Sequence, residues 1–234
     1  MILCSVWAQA GSGLELGVSH DSLSGAYDDW RGLSLQWDWQ TASGHGFALA
    51  AARQQRFALI DQELRAAWTR KFDQAELRIE IEHSPQHRIL PRLGTHVHAS
   101  MAAGPGRLLL DGSWREYQTS RTRSFKAGYE QYAGAWYWQG GLQVSDLSGV
   151  RGYGWQARAD YYYQDNSRIG LQWGQGDEAE QSGVALRRYR VSTLGLQGLH
   201  SVNREWSLRW RIERARQGDF YWKNGINLGL RRHF

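Results

Sequence analysis

The last ten residues, Gly225–Phe234, read G-I-N-L-G-L-R-R-H-F. Successive side chains of an extended strand point to opposite sides. Ile226, Leu228, Leu230 and Phe234 therefore share one face, and Asn227, Gly229, Arg231 and His233 share the other. A strand that alternates in this way and closes on an aromatic is the pattern expected of the last strand of a closed membrane barrel, which pairs with the first. If so, the same alternation must recur along the chain.

It does. Leu14, Leu16 and Val18 alternate with Glu15, Gly17 and Ser19; Leu33, Leu35, Trp37 and Trp39 with Ser34, Gln36 and Asp38; Leu77, Ile79 and Ile81 with Glu76, Arg78, Glu80 and Glu82. Carried through to Phe234, the pattern predicts a closed antiparallel transmembrane β-barrel of about 14 strands, within a range of roughly 12–16. Short connections are expected near 41–46, 57–61, 71–74, 103–106, 132–134, 164–167 and 200–204, and longer loops at 20–29, 84–92, 117–122, 145–151, 174–187 and 215–224. The alternation breaks phase after Val191 and Thr193, where Leu194 and Leu196 follow, and predicts a β-bulge near Thr193.

Composition agrees. The chain of 234 residues has a mean hydropathy of −0.61 and no apolar run long enough for a transmembrane helix. A barrel needs none, because only every second residue meets lipid. Thirteen Trp and eleven Tyr exceed what the interior of an ordinary soluble domain would hold. Sorted by strand direction, the outward aromatics fall into two belts. Trp37, Trp39, Trp136, Trp138 and Phe234 lie at the short-turn ends as expected interface anchors, and Trp114, Tyr153, Trp155 and Trp173 lie towards the opposite ends.

The net charge is +5 and the cations are nearly all Arg, with Lys only at 71, 126 and 223. They are scattered among acids, which points to ion pairing inside the barrel and away from nucleic acid. The segment 1–10 reads as the remnant of a secretory signal, with an apolar stretch and a small-x-small site at Ala8-Gln9-Ala10. The barrel is then 11–234, a span without cysteine.

The inward-facing candidates follow from the alternation: Arg65, Arg78, Glu80, Glu82, His96, His98, Asp111, Arg115, Arg158, Asp160, Arg209, Arg211 and Glu213. Arg190 falls on the same face by this reading, as do Tyr137 and Tyr162. Paired acids and Arg either fill and hold the interior or line a polar conduit, and paired walls are compatible with a pore. The loop residues Asp21, Tyr27, Asp29 and Trp30 form an acidic, aromatic cluster for turn structure, calcium or sugar, with Trp30 expected at the membrane interface. His96, His98 and Ser100 share a face, which raises a hydrolase, but same-face neighbours on one strand sit roughly 7 Å apart, too far for a base to reach its nucleophile. No catalytic residue, metal or cofactor is expected.

The segment Ser19–Trp37, S-H-D-S-L-S-G-A-Y-D-D-W-R-G-L-S-L-Q-W, resembles the opening of the YaiO family of outer-membrane proteins, with its run of strand, Asp-x-Leu-Ser, Gly-x-Tyr-x-Asp-Trp and second strand. The resemblance implies a barrel in the bacterial outer membrane associated with cell-surface polysaccharide, and supplies no catalytic residues. The expected function is a narrow channel or an export or assembly component. The alternatives are a sealed structural or interaction barrel and, third, a membrane-embedded hydrolase. Expected partners are outer-membrane lipid and lipopolysaccharide, the barrel assembly machinery and polysaccharide. A monomer is expected.

Overall fold

Period-2 stretches rich in aromatic and branched residues cannot bury one face against a helix here, because the chain offers no helical pattern. They pair with one another instead, and only closure leaves no unpaired edge in lipid. In the computed structural model, residues 11–164, 166–182 and 185–234 are described. The segment 1–10, read above as a signal remnant, lies outside them. The described residues form fourteen strands: β1 (Gly11–Leu23), β2 (Trp30–Gln40), β3 (His45–Arg56), β4 (Leu59–Lys71), β5 (Ala75–His83), β6 (Leu93–Ala103), β7 (Gly106–Glu116), β8 (Arg121–Ala133), β9 (Trp136–Leu147), β10 (Val150–Gln164), β11 (Ser167–Ser182), β12 (Ala185–Ser201), β13 (Trp206–Gln217) and β14 (Tyr221–His233). Each pairs antiparallel with its sequence neighbours, and β14 closes on β1 with Leu16 opposite Leu230 and Val18 opposite Leu228. The closing strand thus does what its alternation predicts.

Leu, Val, Ile and aromatic side chains stand exposed on the outside all round, among them Leu16, Leu35, Leu49, Ile81, Phe125, Leu142, Leu171, Ile212 and Leu228. Such a surface is stable only against lipid. Aromatic rows flank it. At the end that holds both termini, Trp39 stacks on Phe47 at 5.7 Å and Trp136 on Trp138 at 5.6 Å. At the far end Trp155 meets Trp173 edge-on at 4.7 Å. Trp37 points outward beside Leu49, and Phe234, exposed, lies 5.0 Å from the Arg232 guanidinium.

The ends of the strands differ from expectation. The expected loops 145–151, 174–187 and 215–224 are largely paired strand: β9 and β10 join through Ser148 and Gly149, β13 and β14 through residues 218–220, and β11 and β12 remain paired to Ser182 opposite Ala185. Sixteen residues in β11 rise roughly 40 Å at about 3.3 Å per residue and a tilt of about 40°, against an apolar band of roughly 25 Å, so this hairpin stands well clear of the membrane. Outside lipid both faces of a strand turn polar, and the alternation that marks a strand disappears. Only 24–29 and 84–92 are longer connections among the described residues. They lie at the end opposite the termini, which makes that end extracellular. The turn near 57–61 is tighter than expected, with Phe57 and Ala58 both in the left-handed region (φ 50° and 63°), as two-residue hairpin turns require.

The bulge near Thr193 does not form. β12 keeps an unbroken register against both β11 and β13. Val191 is an inward-facing apolar residue, 9% exposed, and its apolarity mimicked a phase shift. By the same register Arg190 points outward, where it pairs with Asp177 of β11 at 3.6 Å, and not into the lumen.

Candidate functional site

Fourteen strands spaced about 4.8 Å apart and tilted about 40° close at a backbone radius of roughly 14 Å, too wide for opposite walls to meet through their side chains. What the inward residues do therefore depends on where their charges find partners.

They find them along the wall. Four pairs lie within one strand, two residues apart: Arg65 with Glu63 at 3.3 Å, Arg78 with Glu80 at 2.7 Å, Arg211 with Glu213 at 2.9 Å, and Arg158 with Asp160 in a close bidentate contact. Others join neighbouring strands: His98 Nδ1 sits 2.8 Å from Asp111 Oδ1, Arg168 3.3 Å from Asp160, and Lys223 2.9 Å from Glu213.

A third set skips a strand. Arg115 of β7 donates from Nε to Glu82 of β5 at 2.7 Å, Arg209 of β13 reaches Glu15 of β1 at 3.2 Å, and Arg231 of β14 forks onto Asp38 of β2 with both contacts at 2.6 Å. In each case the strand between contributes an inward glycine under the pair: Gly94 under Glu82, Gly229 beside Glu15, Gly13 under the Arg231 guanidinium. A Cβ at Gly94 or Gly13 would collide with the charged group, so the glycine is what lets the pair lie flat. Gln197 reaches Asp160 in the same way at 3.2 Å, over Gly170. Among the described residues no ion pair reaches across the lumen; all run round it.

His96 completes a small network: its Nε2 is 3.4 Å from Glu82 Oε1 and 3.1 Å from Arg115 Nη2. The His98–Ser100 arrangement does not form a nucleophile–base pair. His98 is engaged by Asp111, and Ser100 Oγ accepts from Arg107 Nη2 at 2.7 Å.

Two of the four loop candidates are not in a loop. Asp21 belongs to β1 and faces the lumen, because β1 stays paired through Leu23. Trp30 opens β2 and also faces inward, not toward lipid; Arg56 lies 4.9 Å and Lys223 5.5 Å from its ring. Tyr27 packs on Tyr221 at 5.1 Å and Phe57 at 6.1 Å, which completes an aromatic group with Trp30 at the extracellular rim. Asp29 accepts from the Leu23 amide and sits 3.5 Å from His20 Nε2. At the periplasmic rim, Tyr132 stands 5.1 Å from Tyr137 and 5.9 Å from Tyr162; Tyr137 donates to Glu130, and Arg168 donates to the Tyr162 hydroxyl.

Asp61 stands outside the inward candidates that the sequence offers. It is fully buried on the inner face of β4, and one oxygen accepts the amides of Ile89 at 2.8 Å and Leu90 at 2.9 Å. The β5–β6 loop, 84–92, is thereby drawn inward over the extracellular mouth. Within the loop Leu90 is buried, and Gln86 accepts from the Gln62 amide at 3.1 Å. Between the loop and the β7–β9 wall lies a cavity of about 580 Å³, with His87 and Arg88 on one side and Ser113, Arg115, Ser124 and Ser145 on the other. A second, of about 400 Å³, lies against β1–β4 and β13–β14, lined by Glu15, Asp21, Arg56, Arg65, Arg209 and Arg211. No local sequence signal marks Asp61, whose partners are 28 and 29 residues away.

No family model matches the chain, and no curated protein matches it. Solved structures do. The CymD monoaromatic hydrocarbon channel superposes with a TM-score of 0.67 at 7% identity, over 96% of this chain and 88% of that one. The translocator domain of the autotransporter NalP from Neisseria meningitidis gives 0.55 at 12% identity, over 96% and 88%. The anion-selective porin from Comamonas acidovorans gives 0.53 at 9%, over 96% and 99%. Likeness at such identity establishes fold, and the apolar outer belt with its aromatic rows establishes the surroundings. The chain is a closed, fourteen-stranded antiparallel β-barrel of the bacterial outer membrane.

Proposed function

We propose that this barrel is a narrow channel for passive movement of small polar solutes across the outer membrane. One observation carries the reading: the interior charges are neutralised by pairs that run round the wall over inward glycines, a geometry that holds the wall without filling the space. The mouth is narrowed by the 84–92 loop, and the rims carry aromatic groups. Channels and an anion-selective porin among the structural neighbours support the reading. The resemblance of Ser19–Trp37 to the YaiO family adds a link to cell-surface polysaccharide. The inward candidates Arg65, Arg78, Arg115, Arg158, Arg209 and Arg211, with their acids, are assigned as wall residues. Trp37, Trp39, Trp136, Trp138 and Phe234 are assigned as interface anchors. We assign no catalysis, because Ser100 and His98 are each held by a different partner.

Purified barrel in planar bilayers tests this. Discrete, stepwise conductance is expected. Its absence from folded protein would favour the second reading, a sealed structural barrel, which the inward-folded loop supports.

A further inference from the structure

The outer face of β2–β5 carries a feature that a channel does not need. Leu35, Leu49, Ala51, Leu64, Ala66 and Ile81 line an apolar groove of about 520 Å³. It exists because Ala51 of β3 and Ala66 of β4 stand where the neighbouring outward positions hold Leu, Ile or Trp; Leu49 faces Ala66 and Ala51 faces Leu64 across the strand pair. Immediately above it, on the extracellular side, Arg31 of β2 and Arg53 of β3 point outward and are exposed. They are diagonal neighbours, with Arg53 directly opposite Leu33 and Arg31 opposite Gln55. Among the described residues neither has a carboxylate within ion-pair distance. Asp29, two residues before Arg31, is taken by His20 and the Leu23 amide. The contrast with the lumen is sharp, where nearly every guanidinium is matched to an acid.

We infer that this face is a binding site for a phosphorylated, acylated glycolipid of the outer leaflet. Its phosphate would sit on Arg31 and Arg53 and one acyl chain in the Ala51–Ala66 groove. Guanidinium pairs at a membrane surface suit phosphate by fork geometry and charge. The groove begins two residues below Arg53, at Ala51, and four below Arg31, at Leu35, and continues two residues further toward the bilayer centre, where an acyl chain attached to that headgroup must run. The surroundings supply the occupant's chemistry: the groove faces hydrocarbon, and the Arg pair stands at the level where the apolar outer side chains give way to polar ones.

The test uses the full barrel, folded in detergent and confirmed folded by its heat-modifiable migration, titrated with purified lipopolysaccharide and read by native mass spectrometry. The expected result is binding weakened about tenfold or more both by Arg31→Ala with Arg53→Ala and by groove-filling Ala51→Phe with Ala66→Phe. Phosphatase-treated lipopolysaccharide should bind the unaltered barrel as weakly. Arg121→Ala with Arg123→Ala, across the barrel, should leave binding unchanged. Sensitivity to the Arg pair alone, with inorganic phosphate competing as well as the lipid, would overturn the acyl site. Equal binding by all variants would overturn the whole inference. Arg31→Glu serves as a second charge variant, and its effect must exceed that of alanine. Conductance is a separate readout, so failure here leaves the channel reading untouched.

Discussion

Asp61→Ala should open the extracellular mouth. The buried carboxylate accepts two amides from the 84–92 loop, at 2.8 and 2.9 Å. Hydrogen bonds to a charged group contribute about 1.5–3 kcal/mol each, hence about 3–6 kcal/mol for the two. Against this, the other Asp61 oxygen is buried without a partner, an offset of about 1–3 kcal/mol. A net loss of about 2–3 kcal/mol would shift the balance between a docked and a released loop by roughly 30- to 150-fold. The β-ladder around Asp61 does not depend on its side chain, so the barrel should still form. Single-channel recordings should show a larger and noisier conductance for the alanine variant. Asp61→Asn, which keeps an acceptor without the charge, should fall between. The reasoning fails if the alanine variant, and a second variant in which residues 85–91 are replaced by a short Gly-Ser linker, both conduct as the unaltered protein does. The loop would then lie outside the path.

Gly94→Val should force the Glu82 carboxylate off the wall and away from Arg115, 2.7 Å distant. Lower single-channel conductance is expected, whereas Gly112→Val, at an open position facing lipid, should change nothing; equal behaviour of the two would contradict the wall-pair account. Arg231→Ala should lower stability to urea by about 1.5–3 kcal/mol, and Asp38→Ala combined with it should add little, because the two share one interaction. Leu16→Arg, on the lipid face in the middle of β1, should cost about 2–4 kcal/mol, and His20→Arg near the extracellular rim about 0–1 kcal/mol, as measured by unfolding from lipid vesicles. Similar costs at both sites would mean that the bilayer is not centred near Leu16.

Strand identity and facing were legible because, within lipid, polarity and side-chain direction are locked together. Leu14–Val18 and Ile226–Leu230 could each be read alone, and their pairing follows from closure. Above the membrane the lock is absent: β11 continues through Gly176 and Asp177 with no apolar face, so a paired hairpin reads as loop. Val191 shows the converse error, an apolar side chain turned inward that imitates a bulge. Residue type alone puts Trp30 at the interface, yet its position in β2 turns it toward Arg56 and Lys223. The candidate site was legible only as a set of inward charges. Which acid meets which Arg was not, since Arg231 and Asp38 are 193 residues apart and their contact depends on a glycine in a third strand. Asp61 gives no hint at all until the loop it holds is folded back.

The strand-skipping pairs have a bearing on how the barrel closes. A slip of one residue between β1 and β14 would turn every apolar side chain to the wrong face, and lipid would reject it. A slip of two would not: inside stays inside, and hydrophobicity is blind to it. Yet two residues are roughly 7 Å of travel along a strand. That distance would carry Arg231 away from Asp38 and Arg209 away from Glu15, leaving two guanidiniums and two carboxylates stranded. The two contacts that straddle the seam therefore act as a proofreading device, by which the last strand distinguishes its true partner position from the nearest equally greasy one.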